Sequence, residues 1–262
     1  MEKQAGISTD TGSQKHAHDL EFWEKRSSSF AEHAGKTYYS SEFLKLMSLA
    51  PGYTILDMGC GGGALAVPLA SKVKKVTAVD FSPSMLAIIE NICRERNITN
   101  IETIRGEWDS DWAALGIGKY DIAISSRSLR AENSVPYIQK LINAARRQVF
   151  ISAPEGNGPL DTKLLEFAGR ETSVKSDYRQ FMDVLGNMGI RHSLSFIEEN
   201  HTNRWQSFDE AAEAQKWMFF GATPGEEEKI RLYLERNLVR KDGMLQLPYE
   251  RTCRWAVMWW NV

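Results

Sequence analysis

The sequence predicts an α/β fold, a parallel sheet with helices on both faces. Three observations carry that expectation. Short apolar runs end or centre at residues 55–56, 76–79, 101–104, 122–124 and 149–153, separated by segments of helical periodicity, and such alternation favours crossover units over hairpins. The first run leads through Asp57 into a turn holding Gly59, Gly61, Gly62 and Gly63, with Leu65, Val67, Leu69 and Ala70 continuing as a helix. The second run ends in Asp80 and is followed by Ser82-Pro83, an N-cap candidate with proline at the first helical position.

A strand, a glycine turn and a helix together make a binding device. Gly59 allows a backbone conformation that a Cβ forbids, and Gly61 lets a ligand approach the main chain. Gly63 is expected to let the helix pack closely on the strand, and the N-terminus of that helix to offer free N–H groups to an anionic group. Two ligand classes use such a turn. Gly59, Gly61 and Ala64 fit the G-x-G-x-x-G/A dinucleotide pattern, whereas Asp57, Gly59, Gly61 and Gly63 fit D-x-G-x-G-x-G. The acid discriminates. Asp57 repels a pyrophosphate but tolerates a ligand that carries cationic groups.

The D-x-G-x-G-x-G run at Asp57–Gly63 and the D-x-S-x-x-M-L run at Asp80–Leu86 resemble the first two motifs of class I S-adenosylmethionine-dependent methyltransferases. Within them the chain is similar to small-molecule, type 11-like members. The resemblance implies S-adenosylmethionine as cofactor and a Rossmann-like seven-stranded sheet of order 3-2-1-4-5-7-6 with the last strand antiparallel. It implies that Asp57, Gly59 and Gly61 face the cofactor and that Asp80 accepts both ribose hydroxyls. Phe81 and Met85 would lie against adenine, although Met85 and Leu86 also fit plain helix core. Glu107 would accept the adenine amino group and the Trp108 N–H would reach a ring nitrogen, although Glu107 also fits a surface loop. Ser126 and Arg127 would sit near the methionine end of the cofactor.

The chain divides into a polar arm at residues 1–18 and a single domain at 19–262. The arm has too few apolar residues to order itself. Leu20, Phe22, Trp23, Phe30 and Ala34 suggest one amphipathic helix, and Phe43, Leu44, Leu46, Met47 and Leu49 a second, ending before Pro51-Gly52. The run F-W-x-x-R-x-x-x-F-A resembles the N-terminal helix of small-molecule methyltransferases, which implies that Arg26, Tyr38 and Tyr39 border an acceptor pocket. The tip of the fourth strand, Ser125 to Arg130, has no proline, unlike enzymes that methylate exocyclic amines of bases. Arg130 is a candidate to hold an acidic acceptor. Arg127 and Arg130 could instead pair with Glu132.

A helix is expected at 135–145, with Arg146-Arg147 as its solvated end, then a buried strand stopped by Pro154. Glu155 follows at the rim and is a candidate base or substrate contact. Tyr178, Phe181, Met182, Leu185 and Met188 recur at helical spacing before Gly189, and 194–197 reads as a sixth strand. Residues 200–241 form an expected inserted helical cap, with two helix starts announced by Ser207/Glu210 and Thr223/Glu226. Trp205, Trp217 and Phe220 are candidates to line a pocket there. The run at 252–260 reads as the last strand.

Composition narrows the function. Lys+Arg number 32 against 34 Asp+Glu in 262 residues, which argues against a phosphate-backbone binder. A small-molecule acceptor follows as the expected partner, with no nucleic acid. No apolar run is long enough to span a bilayer, so no membrane partner is expected. Cys60, Cys93 and Cys253 are too widely spaced for a zinc site or disulfide framework, which points to no metal and a cytoplasmic location. His16 and His18 read as solvated, and none of His33, His192 and His201 lies at a motif position. No general base is nominated firmly, and the catalytic residues stay open with Arg127, Arg130 and Glu155 as candidates. A non-catalytic S-adenosylmethionine or S-adenosylhomocysteine binder and an NAD-dependent oxidoreductase stand as alternatives.

Overall fold

The computed structural model describes residues 37–172, 177–219 and 222–262. The polar arm, the first amphipathic helix with Arg26, and Phe220 lie outside the described residues. In order, the elements are α1 (Tyr38–Lys45), β1 (Thr54–Met58), α2 (Ala66–Ala70), β2 (Lys75–Asp80), α3 (Pro83–Arg96) and β3 (Ile101–Arg105). Then come β4 (Tyr120–Ser126), α4 (Val135–Ala144), β5 (Ala145–Pro154), α5 (Thr162–Ala168), α6 (Tyr178–Asn187) and β6 (Ser193–His201). They are followed by β7 (Arg204–Trp205), α7 (Phe208–Glu213), a 3-10 turn (Lys216–Phe219), α8 (Pro224–Asn237), β8 (Val239–Lys241), β9 (Met244–Gln246) and β10 (Arg251–Asn261).

The main sheet has seven strands in the order β3-β2-β1-β4-β5-β10-β6. β1, β2, β3, β4 and β5 pair in parallel, and β10 runs antiparallel to both β5 and β6. Counted within the sheet this is 3-2-1-4-5-7-6, the expected topology. Both faces are covered, so the strands alternate between two apolar cores. Cys253, Trp255 and Val257 of β10 join Tyr39, Phe43, Leu69 and Ile89 on one face. Met258 and Trp260 join Ile138, Leu141, Phe181 and Leu185 on the other.

Helix ends follow the chemistry of their sequences. Ser82 caps α3 by accepting the Met85 N–H, and Asn97 closes it in the left-handed conformation. Asp177 and Gln180 form a reciprocal capping box at the start of α6.

Two expectations need correction. Arg146 and Arg147 are not a helix end but the start of β5. Ala145 is already extended, and Arg147 pairs with Asp121 at 3.2 Å while its guanidinium lies 4.9 Å from the Tyr53 ring centre. The segment expected to be a helical cap is mixed. Its helices are flanked in sequence by the strands of a three-stranded sheet, β7-β9-β8, with β7 before them and β8 and β9 after. Asp242 and Gly243 join β8 to β9 with φ of +51° and +81°, the two positive values that an Asp-Gly hairpin turn requires.

The cap also recruits α5, from the connection after β5. Leu164, Leu165 and Ala168 pack with Trp205, Phe219, Ile230, Leu234 and Leu247 in one cluster. A polar chain ties the same parts. Tyr249 donates its hydroxyl to Asp161 at 2.8 Å, and the Tyr233 and Tyr249 hydroxyls lie 2.6 Å apart. The cap leaves the sheet after β5 and β6 and rejoins it before β10, so all its connections rise from the rim where the parallel strands end.

β6 and β10 extend past their neighbours at that rim. The register of β10 with β5 stops at Trp255↔Pro154, with one further bond from the Glu155 N–H to the Arg254 carbonyl at 2.8 Å, whereas Arg251–Arg254 continue in register with Glu198–His201. A two-stranded wall therefore stands beyond the tips of β4 and β5.

Candidate active site

Asp57 lies within β1, in register with Ala78 of β2 and Ile124 of β4. It is 2% exposed. One of its oxygens, Oδ2, is buried without a hydrogen-bond partner among the described residues. Burial, and then the neighbouring Asp80 carboxylate, push the Asp57 carboxyl up to about 7. Asp80 stands at the end of β2. Its Oδ2 accepts the Gly61 N–H at 2.8 Å and its Oδ1 the Ser82 N–H at 3.0 Å, so it clamps the glycine turn to the start of α3.

The glycines have separate tasks. Gly59 has φ +74°, and a Cβ there would sit 2.3 Å from the Ser128 Cβ. Gly61 has φ +51° with nothing within 4 Å of the same position, which leaves the main chain open to a ligand. Gly63 packs against Ile89 of α3, where a Cβ would meet the Ile89 Cγ1 at 2.9 Å. The expectation that Gly63 serves helix-on-strand packing is corrected accordingly. The helix after the turn is only five residues long, so the turn itself, rather than a helix end, forms the cradle.

The tips of β4 and β5 hold a cluster of hydroxyls under α1. The fully buried Tyr39 hydroxyl lies 2.7 Å from both Ser126 Oγ and Ser152 Oγ. Burial raises the Tyr39 pKa, so the phenol stays protonated at neutral pH. Arg127 follows with φ +58°, a left-handed backbone that costs a non-glycine residue ~1–3 kcal/mol. Two contacts hold it there: its N–H donates to Ser152, to Oγ at 3.1 Å and to the carbonyl at 3.2 Å, and its guanidinium lies 4.1 Å from the Tyr39 ring centre and 5.2 Å from that of Trp255. Neither Arg127 nor Arg130 forms an ion pair among the described residues, with Glu132 or otherwise.

The other candidates separate. Glu155 is not available as a base, because Arg254 and Arg179 bind its carboxylate. Met85 is 2% exposed and packs with Val67, Ile88 and Ile92. That leaves almost no surface for an adenine ring, and the plain-core reading holds. Trp205 is part of the cap core, not a pocket wall, and Trp217 packs against the same cluster. Tyr38 is 60% exposed and borders a surface groove with Leu44, Lys45, Pro68 and Lys72, away from the hydroxyl cluster. Arg130 and Glu107 are exposed, and Phe81 is half-buried beside Asp80. Trp108 lies between Trp112 and Tyr137 in tilted contacts, with ring centres 5.8 and 5.3 Å away.

Residues 55–149 match the methyltransferase domain family. The matched domain at residues 55–149 and the strand order of the sheet are similar to those of the class I methyltransferases. S-adenosylmethionine is the cofactor that goes with this family. An uncharacterized protein of Haemophilus influenzae is 26% identical over 92% of this chain and 88% of its own length. (S)-coclaurine N-methyltransferase of Thalictrum flavum is 46% identical, over only 20% of this chain and 15% of its own. A crystal structure of a putative methyltransferase from Bacillus halodurans superposes with a TM-score of 0.58 at 13% identity, covering 85% of this chain and 97% of that one.

The residues at this rim are compatible with S-adenosylmethionine. A buried carboxylate oxygen without a partner beside an open glycine turn suits an ammonium group, and Asp80 suits ribose hydroxyls. No cluster of His, Cys, Asp and Glu among the described residues could hold a metal, and no helix there is long and apolar enough to cross a membrane.

Sequence reasoning passed over Ser152, Glu199 and His201. Ser152 is an ordinary residue in an apolar run. Glu199 and His201 lie at the end of β6, far from any motif, and reach the site only through the overhang. Trp255 was placed on the last strand without a role, and its indole N–H donates to Glu199 at 3.1 Å.

Proposed function

We propose that this protein transfers a methyl group to a small-molecule acceptor by in-line displacement. The observation that carries this reading is the cap: all its connections rise from the rim that holds Asp57, Asp80 and the Tyr39 hydroxyl cluster. An acceptor there is enclosed rather than laid across an open surface. The near-balance of 32 basic and 34 acidic residues supports the same choice.

When bound, S-adenosylmethionine supplies a methyl group already activated by its sulfonium. The work left to the chain is alignment, which is worth ~7–11 kcal/mol in favourable cases. Asp57 would hold the ammonium and Asp80 the ribose. The buried Tyr39–Ser126–Ser152 cluster would fix the floor on which the acceptor approaches. Asp57 disfavours the oxidoreductase alternative, since a dinucleotide pyrophosphate would meet its carboxylate; Asp80 does not discriminate, because dinucleotide folds also place an acid there for the ribose. A cytosolic setting suits the three free cysteines, Cys60, Cys93 and Cys253.

Calorimetric titration with S-adenosylhomocysteine tests the cofactor. Micromolar binding is expected for the wild type, weakened roughly a hundredfold in Asp80→Ala, because two charge-assisted bonds to the turn disappear with the ribose contact. No heat with the wild type would sink the reading. Incubation of a cell extract with methyl-labelled S-adenosylmethionine then tests the acceptor. Label in the low-mass fraction supports a small molecule. Label in ribosomal RNA, the acceptor named for some curated relatives, would replace it.

A further inference from the structure

The overhang of β6 and β10 carries groups that the cofactor does not need. Paired residues of an antiparallel ladder point to the same face. One face holds Glu198 and Arg254, tied to Glu155, and Asn200 with Thr252, bonded at 2.8 Å. The other holds Glu199 opposite Cys253 and His201 opposite Arg251. That second face continues the row of Trp255, on the side of the sheet covered by α1. Arg127 overlooks it from the tip of β4, its guanidinium spread across Tyr39 and Trp255.

We propose that this face is the binding site for a small anionic acceptor, a carboxylate or phosphate ester, with Arg127 holding the anionic group and His201 taking the acceptor's proton. The proposal rests on the methyl-transfer reading and narrows its substrate class. Arg127 suits the task because no carboxylate forms an ion pair with it among the described residues, and its planar fork matches carboxylate and phosphate oxygens. The groups facing His201 are Glu199 on its own strand, Arg251 on β10 and Arg127 from β4. Burial acts most strongly and lowers the His201 pKa; Glu199 opposes it, while Arg251 and Arg127 reinforce it. The imidazole is therefore neutral at pH 7 and able to accept a proton. Arg251 is committed to the cap through the Pro159 carbonyl at 3.3 Å. The Cys253 thiol, pushed up to about 12 chiefly by burial, does not compete as a nucleophile.

In the step this implies, a heteroatom of the acceptor forms a bond to the methyl carbon as the carbon–sulfur bond breaks. The bonding pair leaves on the sulfur of S-adenosylhomocysteine. The proton released by the acceptor passes to a ring nitrogen of His201 and from there to water.

The test is an NMR titration of histidine-labelled protein saturated with S-adenosylhomocysteine. The probes are benzoate and phenyl phosphate, with benzyl alcohol as the uncharged control, and His201→Gln assigns the resonance. Either anion should shift the His201 signal and raise its pKa, since a bound negative charge favours imidazolium. Arg127→Gln should weaken that anion about tenfold, and the stronger of the two probes identifies the headgroup. His201→Gln should bind S-adenosylhomocysteine as the wild type does. Cofactor binding without any anion-dependent shift of His201, or an equal shift with benzyl alcohol, would overturn the acceptor site alone. Failure of the wild type to bind S-adenosylhomocysteine would overturn the methyl-transfer reading and this one with it.

Discussion

The glycine-turn side of the rim, proposed to hold the cofactor, and the hydroxyl-cluster side, proposed to receive the acceptor, are built in opposite ways. Asp57, the glycine turn, Asp80 and Ser82 lie within one strand-turn-helix-strand unit, and backbone N–H groups make most of its bonds. Tyr39, Arg127, Ser152, Glu199 and Trp255 come from five separate elements, and side chains make theirs. The first half is a local device that any copy of the motif reproduces. The second exists only once the sheet and α1 have assembled, so it is free to differ between chains that share the cofactor.

The glycine turn offers the strongest way to break that contrast. Gly59→Ala should destabilise the protein by ~2–4 kcal/mol, because strain at positive φ adds to a collision with Ser128. Gly61→Ala should cost only ~1–2 kcal/mol, the left-handed penalty alone, yet weaken S-adenosylhomocysteine at least tenfold. Thermal melts and calorimetry on both variants separate folding from binding. Equal behaviour of the two would mean that the open space over Gly61 is not the ligand's path.

Asp57 sharpens the cofactor side. Its carboxyl titrates near 7 in the folded protein, well above the unfolded value, so the native state binds the extra proton. The stability this adds is complete below about pH 4 and is lost as the pH rises through 7, by ~2–3 kcal/mol between pH 5 and 8. Asp57→Asn should flatten that part of the pH–stability curve while weakening the cofactor. An ammonium bound to Asp57 favours its ionised form, so binding at pH 6.5 should release a proton. The apparent enthalpy should then differ between phosphate and Tris buffers, and identical enthalpies would remove Asp57 from the contact.

The smallest expected effect on cofactor binding belongs to the cap. Tyr249→Phe removes the bonds to Asp161 and Tyr233 and should cost ~1–3 kcal/mol. S-adenosylhomocysteine affinity should be unchanged. A loss of cofactor binding in this variant would show that the two halves are coupled through the cap.

The same contrast explains what could be read from the sequence. The succession of strands, the places of Asp57 and Asp80 at the glycine turn and the Ser82 cap were legible because each depends on neighbours a few residues away, whereas the strand order came from the family resemblance. Met85 was ambiguous because a helix face that could touch adenine and one that packs on Val67 have the same spacing. Glu155 read as a free rim acid because Arg254, its partner, lies 99 positions away. His201 and Glu199 carried no signal at all: only the register of β6 against β10 brings them to the rim. The small sheet of the cap was legible and missed, since Asp242-Gly243 between Val239-Arg240-Lys241 and Met244-Leu245-Gln246 is a hairpin signature.

β10 has a consequence for the order of assembly. It is the last of the described strands to be made, yet it lies between β5 and β6, and it is the only partner of β6 in the main sheet. While residues 251–261 are still inside the ribosome, β6 has no strand to pair with and β5 presents an open edge, a state prone to association with other chains. The cofactor half has every strand it needs by residue 126. A nascent chain could therefore hold its nucleotide-like ligand before it possessed the wall meant to receive the other reactant.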